Sequence, residues 1–169
     1  MSLQQNQRVD LGEIYVSNSR LAVYTIPNLG TGVALTIYDT INRVGGIAHI
    51  VMPESSLDAH SLHKDELPGK YANLAIPYLL EKYTELGGQK RSSVVRMVGG
   101  AQLFNFGGGG GNALNIGARN ATAIRAAMSK LGFVIEKADT GGNKGKSIRF
   151  IITTGQLHVC IIGGNEYQL

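Results

Sequence analysis

The sequence predicts a single-domain α+β fold, with a mixed β-sheet core and helices packed outside. Three observations predict it. Short β-rich segments fill the first half of the chain. Two segments with helical spacing interrupt the later strands, at 71–86 and 115–131. A glycine-rich turn then leads into a closing pair of apolar strands. Strands followed by segregated helices and a hairpin point to α+β layering.

The elements follow in order. Met1 to Asp10 is polar and glutamine-rich, and is expected to be a flexible N-terminus ahead of one domain over 11–169. Ile14–Val16 and Leu21–Tyr24 read as strands. Val33–Tyr38 and Gly46–Met52 read as a hairpin joined by a turn over Asp39–Arg43 and stopped by Pro53. Their near-continuous apolar character implies cover on both faces. Tyr71, Leu74, Ala75, Tyr78, Leu79 and Leu86 recur at helical spacing up to Gly87-Gly88, and Pro77 should kink that helix or mark its first turn. Ser93–Val98 is a strand. Asn115 caps a second helix, with Ile116, Ile124, Ala127, Met128 and Leu131 as its apolar stripe and Gly132 at its end. Phe133–Ile135 reads as a strand, Thr140–Lys146 as a turn, and Ile148–Thr153 with Leu157–Ile162 as the closing hairpin.

Composition narrows the function classes. The 169 residues are 43% hydrophobic and 17% charged, enough for one packed core. The longest apolar runs fall well short of the roughly 20 residues that span a bilayer, and the N-terminal stretch lacks the apolar core of a secretory signal, so no membrane insertion and a cytoplasmic location are expected. The formal charge is +4, but the basic residues are scattered. A nucleic-acid partner would need a basic patch with stacking aromatics, so none is expected. The single cysteine, Cys160, excludes disulfide stapling and a thiolate zinc site. In Leu157–Ile162 it reads as an inert strand thiol.

Two local patterns suggest ligands and fall short. His60 and His63 have the spacing of one helical face, but no third ligand stands near, so no metal is expected. Gly107–Gly111 is a run of five glycines. It lacks the Gly-Lys-Ser/Thr ending of a phosphate loop and reads as flexible chain, so no cofactor is expected.

Four ordered stretches carry more information. They are Leu29-Gly30-Thr31-Gly32-Val33-Ala34; Gly45-Gly46-Ile47-Ala48-His49-Ile50-Val51-Met52-Pro53; Lys70-Tyr71-Ala72-Asn73 through Ile76-Pro77 with Gly99-Gly100-Ala101-Gln102-Leu103-Phe104; and Asn115-Ile116-Gly117-Ala118-Arg119-Asn120 with Gly141–Lys146. Together they resemble the CheD family of chemoreceptor glutamine deamidases. The resemblance implies that family's single-domain sandwich and its chemistry, in which a thiolate attacks a protein glutamine carboxamide, ammonia leaves and water releases glutamate. It implies chemoreceptor cytoplasmic helices as partners, and the phosphatase CheC as a further one.

The same resemblance places the family's catalytic cysteine at Gly32 and its histidine at His49, 17 residues on. Thr25 stands near the family's threonine, with Pro27-Asn28 disturbing the spacing. Glycine has no side chain to attack with, so the expectation is a protein that keeps receptor or partner binding and has lost hydrolysis. Two alternatives stay open here. One is an active amidase using Thr31 or Cys160 in place of the missing thiol; the other is a module for a partner outside chemotaxis. Read alone, His49 in an apolar strand would be an ordinary core histidine.

Overall fold

The structure, a computed structural model, describes residues 3–55, 67–103 and 115–169. Among these residues it forms two five-stranded sheets and two α-helices. The strands are β1 (Gln5–Arg8), β2 (Ile14–Ser17), β3 (Ala22–Leu29), β4 (Val33–Asp39) and β5 (Gly45–Ile50), then β6 (Ser93–Gly99), β7 (Ile135–Thr140), β8 (Lys146–Ile151), β9 (Gln156–Ile161) and β10 (Glu166–Gln168). Helix α1 spans Ala72–Glu85 and α2 spans Ile116–Lys130. The inner sheet runs β2-β5-β4-β6-β7 and the outer sheet β1-β3-β8-β9-β10. Each mixes parallel and antiparallel pairs, as the α+β reading expects.

Side-chain alternation makes the inner sheet the middle layer. Val33, Leu35 and Ile37 of β4 pack with Ile76, Leu79 and Tyr83 of α1 and with Ile124 and Met128 of α2. Ala34 and Tyr38, on the other face of β4, pack with Ile26 of β3, Phe150 of β8 and Val159 of β9. Every residue of β4 is therefore buried, which explains its unbroken apolar run. Leu79 is fully buried against the middle sheet, so Leu79→Ala should cost about 3 kcal/mol.

Most elements lie where the sequence puts them. The β4–β5 and β8–β9 hairpins form. The Asn115 side chain accepts the Ala118 amide at 3.0 Å as the cap of α2, and Gly132 follows the helix at φ 74°. Pro77 lies inside α1 rather than in its first turn, with the helix continuing to Glu85. The stripe of α2 is shifted at its ends. Ile116 and Leu131 are exposed, while Ala121 is buried beside Ile124 and Met128. The strand expected at Phe133–Ile135 begins instead at Ile135, where parallel pairing with β6 starts. The stretch assigned to a flexible N-terminus contains β1, which pairs with β3 through backbone contacts from Gln5 to Arg8.

Two features hold the middle layer's far end. The buried Asp39 carboxylate accepts the backbone amides of Ile41, Asn42 and Gln89 and the Ser92 hydroxyl, at 2.8–2.9 Å. Burial works to raise its pKa, but these bonds and that from the Asn42 side chain outweigh it and hold the carboxyl well below the usual range. Tyr83 shares a 2.6 Å hydrogen bond with the Ser93 hydroxyl, and burial pushes its phenol up to about 12.

Candidate functional site

The site lies at the opposite end of β4, where β3 bends through Gly30–Gly32 into β4. β5 runs alongside, with His49 paired to Ala34. Ala34 and Ile47 face the space between the sheets. Alternation therefore turns His49 to that side, and Gly32, two residues before Ala34, shares it. A Cβ built on Gly32 would stand 3.0 Å from His49 Nε2, 3.3 Å from its Cδ2 and 3.2 Å from the Ile50 carbonyl oxygen. The imidazole thus faces the position directly. It also stands close against it, so the missing side chain has left no full-sized gap.

Backbone contacts fix both partners. The Gly32 carbonyl accepts the Gly100 amide at 2.9 Å, and the Gly30 carbonyl accepts the Ala101 amide at 3.0 Å. Gly99 has φ 116°, and a Cβ there would collide with the Gly32 carbonyl oxygen, so this close approach needs glycine. His49 is held from the other side, its amide donating to the Glu13 carbonyl at 3.0 Å and its carbonyl accepting from Gly12 at 2.9 Å.

The His49 side chain is 3% exposed, and its Nδ1 has no hydrogen-bond partner. Burial lowers its pKa. Backbone groups of Val9 and Asp10 and the Asp10 and Glu13 carboxylates pull the other way without overcoming it. The Val9 and Asp10 groups lie near the ring but do not complete a well-formed bond to Nδ1. The ring is therefore neutral at pH 7, able to accept a proton at Nε2 or polarise a group at position 32. Position 32 supplies no nucleophile.

The other sequence candidates divide by face. Thr25 lies between Tyr24 and Ile26, whose side chains enter the inter-sheet core, so alternation turns Thr25 to the outer face of the outer sheet. Cys160 follows Val159, a core residue, and likewise faces outward on β9. Neither shares a face with His49. Thr31 adjoins Gly32, but its hydroxyl makes no hydrogen bond to His49; its carbonyl instead accepts from Asn120. His60, His63 and Gly107–Gly111 lie outside the described residues. Among the described residues, no cluster of three or more His, Cys, Asp or Glu side chains could hold a metal ion.

Sequence reasoning passed over Asn120. It closed one of the quoted motifs without a role, yet in the structure it is fully buried and reaches the backbone on both sides of the Gly32–His49 pair.

With this geometry in hand, comparison with known proteins is decisive. A protein of Clostridium novyi (strain NT) named "Probable chemoreceptor glutamine deamidase CheD" is 33% identical over 156 residues, covering 92% of this chain and 93% of the relative. The chain belongs to the CheD family. A relative of the same name from Symbiobacterium thermophilum is 31% identical over 169 residues, the full length of both proteins. One from Clostridium botulinum (strain Hall) is 32% identical over 156 residues. The family described as CheD chemotactic sensory transduction matches residues 51–160. That match begins at residue 51, beyond both Gly32 and His49, while the alignments to whole CheD relatives span nearly the entire chain. No helix among the described residues is long and apolar enough to cross a membrane.

Proposed function

We propose that this CheD protein engages glutamine side chains on chemoreceptor cytoplasmic helices at the Gly32–His49 site without hydrolysing them. The observation that carries the reading is the alignment of His49 Nε2 on the Cβ position of Gly32 at 3.0 Å. The base faces the nucleophile position, and the nucleophile is absent. Covalent amide hydrolysis needs an attacking atom that histidine activates. The outward face of Cys160 and the lack of a hydrogen bond from the Thr31 hydroxyl to His49 support this reading. The relatives' names point to chemoreceptor glutamine as the amide. The reading places the protein in the cytoplasm beside receptor helices, with CheC as a second binding partner.

The test incubates the chain with a receptor fragment bearing the glutamine and follows binding and mass together. Binding without the glutamine-to-glutamate mass gain is expected. A time-dependent gain with the unaltered chain would overturn the proposal. A gain abolished by Thr31→Ala or Cys160→Ala would identify the replacement nucleophile.

A further inference from the structure

The ladder between β4 and β5 ends at the pair Val33–Ile50. Beyond that pair, Thr31, two residues before Val33, and Val51, the residue after Ile50, are joined across the gap by a side chain. Asn120 Nδ2 donates to the Thr31 carbonyl at 3.1 Å and to the Val51 carbonyl at 3.0 Å. A primary amide nitrogen has two N–H bonds, and both are used. Asn120 is fully buried and its Oδ1 finds no donor. An apolar residue would avoid that penalty, so the two donated bonds are what this position gains from asparagine. The helix carrying it is seated closely, because Gly117 packs against the Gly100 carbonyl, and the Gly100 amide in turn bonds the Gly32 carbonyl.

We propose that Asn120 is a positioning residue of the Gly32–His49 site, its amide tying the Gly30–Gly32 bend to the end of β5 and thereby setting the approach of His49 to position 32. It makes no hydrogen bond to His49 and acts through the Thr31 and Val51 backbone. The inference rests on reading this site as the amide-binding site. Its test reads the histidine itself, so it can fail while receptor binding stands, and receptor binding can fail while it stands.

The experiment compares Asn120→Leu, which keeps bulk and removes both donors, and Asn120→Ala with Ile124→Ala. Ile124 is buried one turn further along the same helix against the middle sheet and donates nothing to the bridge. The His49 ring is followed by NMR across pH. Loss of the bridge should admit water and move the His49 midpoint upward, by about half a unit. Ile124→Ala should lose thermal stability without that movement. An unchanged His49 midpoint in the Asn120 variants, or an equal movement in Ile124→Ala, would overturn the proposal. If neither Asn120 variant folds, hydrogen exchange in the unaltered protein decides. Both Asn120 side-chain amide protons should exchange far more slowly than those of exposed Asn143. Exchange at the Asn143 rate would overturn it.

Discussion

Replacing Gly32 with cysteine tests the site most informatively, and the structure sets its expected size. Gly32 has φ outside the left-handed region, so a side chain there meets no backbone penalty. Glycine-to-larger changes at such positions gain about 0.4–1 kcal/mol by restricting the unfolded chain. Against this, the added Cβ would meet His49 Nε2 at 3.0 Å and the Ile50 carbonyl at 3.2 Å. The ring must give by a few tenths of an ångström, and overpacking of this kind costs about 1–3 kcal/mol. A net loss of about 1 kcal/mol follows, small enough for a folded protein. The new sulfur would then lie beside the imidazole, which can take its proton and pair as imidazolium with the thiolate, so the thiol is expected to ionise below its usual value of about 8.5 in spite of burial. The assay is iodoacetamide alkylation against pH in a Cys160→Ser background, with denaturant melts run in parallel. A midpoint at least about one unit below 8.5 is expected, together with slow conversion of a receptor glutamine. A folded Gly32→Cys protein whose thiol titrates at 8.5 or above would refute the claim that His49 addresses this position.

Three further outcomes follow from the same structure. Because burial lowers the pKa of His49, the folded protein binds fewer protons than the unfolded chain just below pH 6.5. Its stabilising contribution is therefore present above pH 6.5 and lost as pH falls, and His49→Phe should flatten that part of the stability profile. Asp39 is held below the usual carboxylate range, so its contribution is present above about pH 4 and lost on acidification. Asp39→Ala should cost about 3 kcal/mol at pH 7 by urea melting, with a smaller difference from the parent at pH 3. Lys146 is 5% exposed and donates to the Asp139 carboxylate at 2.6 Å. Asp139→Ala, which leaves a buried ammonium with the residue 139 carbonyl but no counter-charge, should cost about 3 kcal/mol and more than Lys146→Met, which keeps the stem and removes the charge.

The sequence made the interior strands legible because burial on both faces leaves an unbroken apolar run, as in β4. It left β1 and β10 unread. Their residues are mostly exposed, and what makes them strands is pairing with β3 and β9, which no local pattern records. The division into two sheets was hidden for the same reason, since β3 skips to β8 and β6 pairs with β7 across α2. At the site, the pairing of position 32 with His49 was readable through family resemblance and the hairpin that joins them. For Thr25, resemblance supplied a candidate but not the strand face it takes. Proximity in sequence says little about which face of a strand a side chain takes. Asn120 was legible only as a motif letter, because its partners, Thr31 and Val51, come from segments far away in the chain.

The central claim is that an intact amide-binding site remains around a missing nucleophile. The most direct measurement is the NMR response of the His49 ring in the unaltered protein to a receptor fragment carrying the target glutamine. A saturable shift of the His49 ring signals is expected, absent with a fragment in which that glutamine is alanine, and the fragment's mass should not change. A silent His49 alongside tight fragment binding, or conversion of the glutamine to glutamate, would contradict the account.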